Sequence, residues 1–263
     1  MIKLSDVSLI FGEGTPDRVE ALNNISFQLN HGDFVTVIGS NGAGKSSLFN
    51  AVSGLYPPTS GVISKNKVDI TRWPEYKRAA FIGRVFQDPL MGTAGNMSVQ
   101  DNLTIASYKG MKKLKISLNK QKKNEFRELL SQLEMGLEDR ISDNVGQLSG
   151  GQRQALTMLM MVLSSPDLVL LDEHTAALDP RNAEKVLELT SRFYSNYKLT
   201  VMMVTHNMKM ALDFGNRLIM MDRGEIILEA EGKEKSRLTV DELVKRFHDI
   251  RGMSLTNDET LLS

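Results

Sequence analysis

The run Gly39-Ser40-Asn41-Gly42-Ala43-Gly44-Lys45-Ser46 constrains this chain more than any other feature. It matches G-x-x-x-x-G-K-[ST] and follows directly on Phe34-Val35-Thr36-Val37-Ile38, an almost wholly apolar, β-branched run suited to a strand covered on both faces. A helical stretch, Lys45 to Val52, comes straight after it. Strand, glycine turn and helix in immediate succession imply an α/β layer structure. The glycines let the backbone curl so that successive N–H groups point inward at phosphate oxygens, where side chains would clash. The helix N-terminus adds partial positive charge. Lys45 is placed to reach β- and γ-phosphates, and the Ser46 hydroxyl to ligate Mg²⁺. Four fixed positions arise by chance in a chain this long with probability on the order of 1%, so the loop needs a second witness.

The rest of the chain supports the layer reading. Lys3 to Phe11 and Ile25 to Leu29 read as strands, as do Leu168 to Leu171 and Thr200 to Val204, and Gly224 marks a turn into Glu225 to Leu228. Arg181 to Phe193 has helical spacing, and Val240 to Ile250 reads as a terminal helix. From Val99 to Leu163 no strand pattern occurs, while helical patterns recur at Asn124 to Leu133 and Gln152 to Leu163. This predicts a helical subdomain, about 90–164, inserted in the α/β core. One domain is expected over 1–252, with a frayed tail at 253–263.

Composition narrows the function classes. The 263 residues carry 32 Lys+Arg against 32 Asp+Glu, which argues against a bulk electrostatic grip on nucleic acid. No cysteine means no disulfide, no thiolate zinc site and no Cys nucleophile, and fits a reducing compartment. No signal-peptide pattern opens the chain, and its apolar runs fall short of the roughly 20 residues that span a bilayer. One segment breaks the neutrality: 109–124 holds seven lysines and no acid. It reads as a solvated face or, alternatively, as a patch near anionic lipid headgroups.

The second witness is Leu148-Ser149-Gly150-Gly151-Gln152, ahead of a helical run. Ser149 can cap that helix, and the two glycines allow a negative group to approach the backbone closely. With this pentapeptide the chain resembles the nucleotide-binding subunits of ABC transporters, for which it is the signature motif, and the resemblance runs from about Lys3 to Glu229 with motifs in family order. It implies a P-loop NTPase core of mainly parallel sheet with an antiparallel β subdomain and an inserted α-helical subdomain. It also implies ATP and Mg²⁺ as cofactors. On this resemblance Phe11 stacks on adenine, and Gly39, Ser40, Asn41, Gly42, Ala43, Gly44, Lys45, Ser46 and Ser47 hold the phosphates. Gln87 matches the Q-loop glutamine, Asp172 and Glu173 the Walker B pair, Asp179 the D-loop and His206 the switch histidine. Ser46, Gln87 and Asp172 would serve the metal; Glu173 would polarise the attacking water, with His206 and Lys45 beside the γ-phosphate. Taken alone, each has a plainer reading as a turn, surface or core residue. His174 departs from the family, which has Pro there, and the Met-rich stretch after the pentapeptide is a second departure.

One phosphate loop and one signature per chain imply that the two motifs closing on a single ATP come from opposite copies, so the resemblance predicts an ATP-dependent homodimer. Its opening and closing would be read by a separate membrane permease, through a groove lined by 88–102. An extracytoplasmic solute-binding protein would be an indirect partner, and no nucleic acid is expected. The expected place is the cytoplasmic face of the membrane. The Asp-Glu-His-Thr run, the basic insert and the short tail resemble importers of amino acids or similar small solutes. A soluble ABC-type ATPase of the Fe–S assembly kind and an exporter ATPase remain the alternatives.

Overall fold

The computed structural model describes residues 1–107 and 120–251. Four of the seven clustered lysines (Lys109, Lys112, Lys113 and Lys115) and the expected tail at 253–263 therefore lie outside the described residues. The chain divides into two compact units, one formed by Met1–Ala79 with the chain from Thr200 onward, the other by Ala80–Leu199. No helix among the described residues is long and apolar enough to cross a membrane.

The first unit begins with β1 (Ile2–Phe11), β2 (Val19–Leu29), β3 (Phe34–Gly39), α1 (Lys45–Ser53), β4 (Ser60–Lys65), β5 (Val68–Asp69) and a short α2 (Glu75–Arg78). The second holds β6 (Ile82–Val85), α3 (Val99–Ala106), α4 (Lys120–Ser131), α5 (Gly150–Leu163), β7 (Leu168–Asp172) and α6 (Pro180–Tyr197). The chain then returns to the first unit with β8 (Val201–Val204), α7 (Met208–Asp213), β9 (Arg217–Asp222), β10 (Glu225–Glu231), α8 (Gly232–Lys235) and α9 (Val240–Arg251).

In the first unit, β2, β1, β4 and β5 form an antiparallel sheet in that order. The expected strand at Ile25 to Leu29 is the end of a longer one, because Val19, Glu20 and Leu22 also pair with β1. A second sheet places β3 between β8 and β9, parallel to both, with β10 antiparallel to β9. All six residues of β3 are buried, as its apolar run predicts. Beyond it, Ile38, Met208, Leu218, Met220, Leu243 and Phe247 share one core cluster, so α7 and α9 cover this sheet on a common apolar face. Arg217 links the two sheets of this unit: its guanidinium lies 5.0 Å over the Phe27 ring of β2, donates to the Gln28 carbonyl at 2.7 Å and pairs with Asp33 at 2.5 Å. Arg78 is fully buried and donates to five carbonyls, those of Ala51, Val52, Ile70, Thr71 and Trp73, which ties the end of α1 to the β5–α2 connection. Burial lowers its pKa to about 10, which leaves it charged at neutral pH.

In the second unit, β6 and β7 pair in parallel, with Ile82 opposite Leu168 and Val85 opposite Leu171. Helices α3, α4 and α5 fill the chain between these strands. No named strand lies in 99–163 among the described residues; the one β-bridge nearby joins Ser98 to Asn144.

Candidate nucleotide site

The phosphate loop lies wholly in the first unit. Gly39 has φ +153°, and a Cβ there would sit 2.3 Å from the Met221 carbonyl; Gly44 has φ +100°, and a Cβ there would meet the Ala21 carbonyl at 2.6 Å. A side chain would break the loop at both points. Gly44 is also the N-cap of α1 and supplies no side-chain acceptor, whereas Ser98, Ser149, Asp179 and Asn207 cap α3, α5, α6 and α7 with theirs. The first turn of α1 therefore receives no acceptor from its own N-cap side chain, the kind of helix start that suits an anion. Lys45 is 6% exposed and arches back over the loop, donating to the Gly39 carbonyl at 2.7 Å and the Ser40 carbonyl at 2.9 Å. Ser46 is exposed, Ser47 half-buried, and Ser40 donates to Asp222 at 3.4 Å. Asn41 and Gly42 are exposed at the loop's rim, with Ala43 buried behind them.

Phe11 ends β1 with 37% of its surface exposed, and its ring meets Tyr56 edge-on, centroids 5.3 Å apart. Sequence reasoning missed Tyr56, although it is exposed and aromatic in the loop after α1. His206 is half-buried in the turn between β8 and α7.

The second unit holds the remaining residues. Gln87 is exposed two residues beyond β6. Asp172 ends β7 and pairs with Arg84 of β6 at 2.8 Å, and the Arg84 guanidinium also lies 4.8 Å over the Phe86 ring. Glu173 follows with φ +46°, an uncommon conformation for a residue with a Cβ. Ser149 and Gln152 form a capping box on α5: the Ser149 hydroxyl accepts from Gln152 N–H at 3.2 Å, and the Gln152 amide oxygen accepts from Ser149 N–H at 3.1 Å. That oxygen also accepts from Arg140 at 3.0 Å, and the Gln152 NH₂ donates to the Met135 carbonyl at 3.0 Å. The amide of Gln152 is thus spent on holding its own loop. Gly150 is half-buried; at Gly151 a Cβ would stand 2.6 Å from Asn182, so this glycine also lets α5 and α6 approach. Asp179 caps α6 with bonds from Asn182 N–H at 3.1 Å and Asn182 NH₂ at 2.6 Å, and these hold its carboxyl below the usual carboxylate range.

Each of the three residues expected to serve Mg²⁺ offers a hard oxygen, the Ser46 hydroxyl, the Gln87 amide oxygen and the Asp172 carboxylate. Among the described residues no three His, Cys, Asp or Glu side chains gather into a cage. That donor set suits a metal that arrives on phosphates and takes one carboxylate from the protein.

A family model described as ABC transporter matches residues 22–176. The chain belongs to the ABC transporter family. As a nucleotide-binding subunit of that family, it is an ATPase with the fold of a P-loop cassette. This cassette is 43% identical over 250 residues to the tyrosine transport ATP-binding protein of Clostridioides difficile (strain R20291), covering 94% of this chain and 98% of the relative. It is 34% identical over 249 residues to the xylose/arabinose import ATP-binding protein XylG of Sulfolobus acidocaldarius, covering 94% of each. Among solved structures, the ATP-binding cassette MJ0796, a dimer in a post-hydrolysis state bound to ADP and Pi, is similar at a TM-score of 0.72 and 27% identity, over 88% of this chain and 98% of that one.

Proposed function

We propose that this ABC cassette is the ATP-hydrolysing subunit of an importer, working as a pair of identical copies beneath a separate membrane permease and moving an amino acid or a similar small solute. The observation that carries nucleotide binding is the glycine-built turn Gly39–Gly44 leading into α1, where no N-cap side chain competes for an anion and the Lys45 ammonium donates to the Gly39 and Ser40 carbonyls. The amino-acid cargo is supported by the tyrosine-transport relative and by a methionine import ATP-binding protein of Bacillus anthracis, 31% identical over 236 residues, which covers 88% of this chain and 66% of that protein. The dimer is supported by the paired state of the similar cassette. A solute-binding protein outside the membrane would complete such a system, with the ATPase on the cytoplasmic face.

In this reading the first unit grips the nucleotide. Phe11 stacks on the base, loop N–H groups and Lys45 take the β- and γ-phosphates, and His206 donates to the γ-phosphate. The Glu173 carboxylate would accept a hydrogen bond from the attacking water and orient it. Ser46, Gln87 and Asp172 would hold Mg²⁺, which when bound neutralises charge on the phosphates. Ser149, Gly150 and Gly151 of a second copy present the N-terminus of α5 to the far side of the γ-phosphate. Gln152 and Asp179 serve that contact by fixing the ends of α5 and α6, since their side chains are engaged in those caps.

Two variants test the reading. Glu173→Gln should bind ATP, lose nearly all turnover and run as a dimer on size-exclusion chromatography with ATP; turnover near the wild-type rate would remove Glu173 from this role. Lys45→Ala should weaken binding in a fluorescent-nucleotide titration by about 10-fold or more, given what charge-assisted contacts contribute. Unchanged affinity would contradict the loop assignment. Co-purification of the permease, then amino-acid binding by its cognate receptor, tests the cargo.

A further inference from the structure

His174 stands one residue beyond Glu173 and is 2% exposed, inside the second unit. Its Nε2 lies 3.1 Å from the Thr190 hydroxyl of α6. That hydroxyl has one proton, and it goes to the Val186 carbonyl one helical turn back, at 2.8 Å. Thr190 can therefore only accept from the imidazole, which assigns the neutral tautomer with the proton on Nε2.

The link matters because of what precedes it. Glu173 holds φ +46°, a left-handed conformation that costs a residue with a Cβ about 1 kcal/mol and persists only where both flanks are fixed. The upstream flank is β7, with Asp172 paired to Arg84. The downstream flank is a turn in which Ala176 N–H donates to the Glu173 carbonyl at 2.9 Å and Leu178 N–H donates to Thr175 at 3.1 Å. Within that turn, Thr175 is half-buried and Ala176 and Ala177 are exposed. His174 is the buried side chain that ties the turn to the body of α6.

We propose that His174 is a positioning residue for hydrolysis: its hydrogen bond to Thr190 locks the left-handed turn that aims the Glu173 carboxylate. This rests on the reading of Glu173 as the group that orients the attacking water. Without the link the turn can relax toward ordinary backbone angles, and the carboxylate swings with it. An error of about 1 Å at such a group costs up to about 100-fold in rate, while nucleotide binding is untouched.

The test compares His174→Leu, His174→Gln and Thr190→Val by kcat, KM for ATP, nucleotide Kd and thermal midpoint. His174→Leu fills the space without a donor, and Thr190→Val keeps the shape without the acceptor. Each should lower kcat by about 10-fold or more with KM and Kd within about twofold, the pattern of a lost transition-state interaction. His174→Gln, whose Nε2 can donate to the same hydroxyl, should recover most of the rate. Wild-type kcat in both donor-less and acceptor-less variants overturns the proposal. So does a joint loss of kcat, KM and thermal midpoint that Gln rescues no better than Leu, which marks a packing role only. If His174→Leu does not fold, Thr190→Val carries the comparison, with Thr190→Ser as the variant that keeps the hydroxyl. Glu173→Gln run alongside separates the two claims: wild-type turnover there sinks the reading of Glu173 itself. In a Glu173→Gln background, adding Thr190→Val should change the residual rate by less than about twofold, and a full further drop would show that the link acts elsewhere.

Discussion

A single buried side chain can set a pH dependence by itself. His174 shows the sign of the effect. Its folded pKa is lowered by burial from 6.5 to about 4, so between those values the unfolded chain binds a proton that the folded chain refuses. Its contribution is full above about pH 6.5, drains as the pH falls and levels off near pH 4, a total of about 3 kcal/mol. Urea midpoints measured across that range should fall more steeply for the wild type than for His174→Gln; parallel curves would show that the ring titrates as if exposed. At this scale the sequence is most legible in the glycine turn, where the structure buries Lys45 against the carbonyls of Gly39 and Ser40. It is least legible where a role depends on distant partners. Nothing local to His174 announces Thr190 sixteen positions on, though a threonine on the Val186, Leu189, Phe193 stripe of α6 is a usable sign that a buried polar group faces it. Arg84 and Tyr56 escaped for the same reason.

Among elements, legibility follows the strength of the pattern. β3, β7 and β8 are apolar runs and are readable as strands, and α5 and α6 carry both caps and helical spacing. β6 and β9 are not readable in this way: one contains Gly83 and Arg84, the other opens on Arg217, a charge that is buried only because Asp33 and the carboxylates of β10 meet it. β4 and α7 are short and mixed in character, so tertiary pairing decides them. The α5–α6 contact gives a prediction of its own. Gly151→Ala places a methyl against Asn182 and should cost about 1–3 kcal/mol in chemical denaturation. Asn182→Ala, which removes two of the three colliding atoms, should return part of that loss in the double variant; simple additivity would show that the glycine is not there for close approach.

For the molecule as a whole, the phosphate loop is only as firm as the sheet beneath it. Ile38 precedes Gly39 and shares its cluster with Phe247 of α9, more than two hundred residues away in the chain. Phe247→Ala should therefore lower stability by about 3–5 kcal/mol in denaturant titrations, a cavity effect with no catalytic group removed. A change below about 1 kcal/mol would mean that α9 is dispensable to this unit. The strand that bears the loop also has an awkward place in time. β3 is made early, yet the strands on either side of it, β8 and β9, leave the ribosome only after the entire second unit. The emerging polypeptide must then carry an unfinished, almost wholly apolar strand through most of its own synthesis, an interval in which chaperones, or the contiguous second unit folding first, would guard it against aggregation.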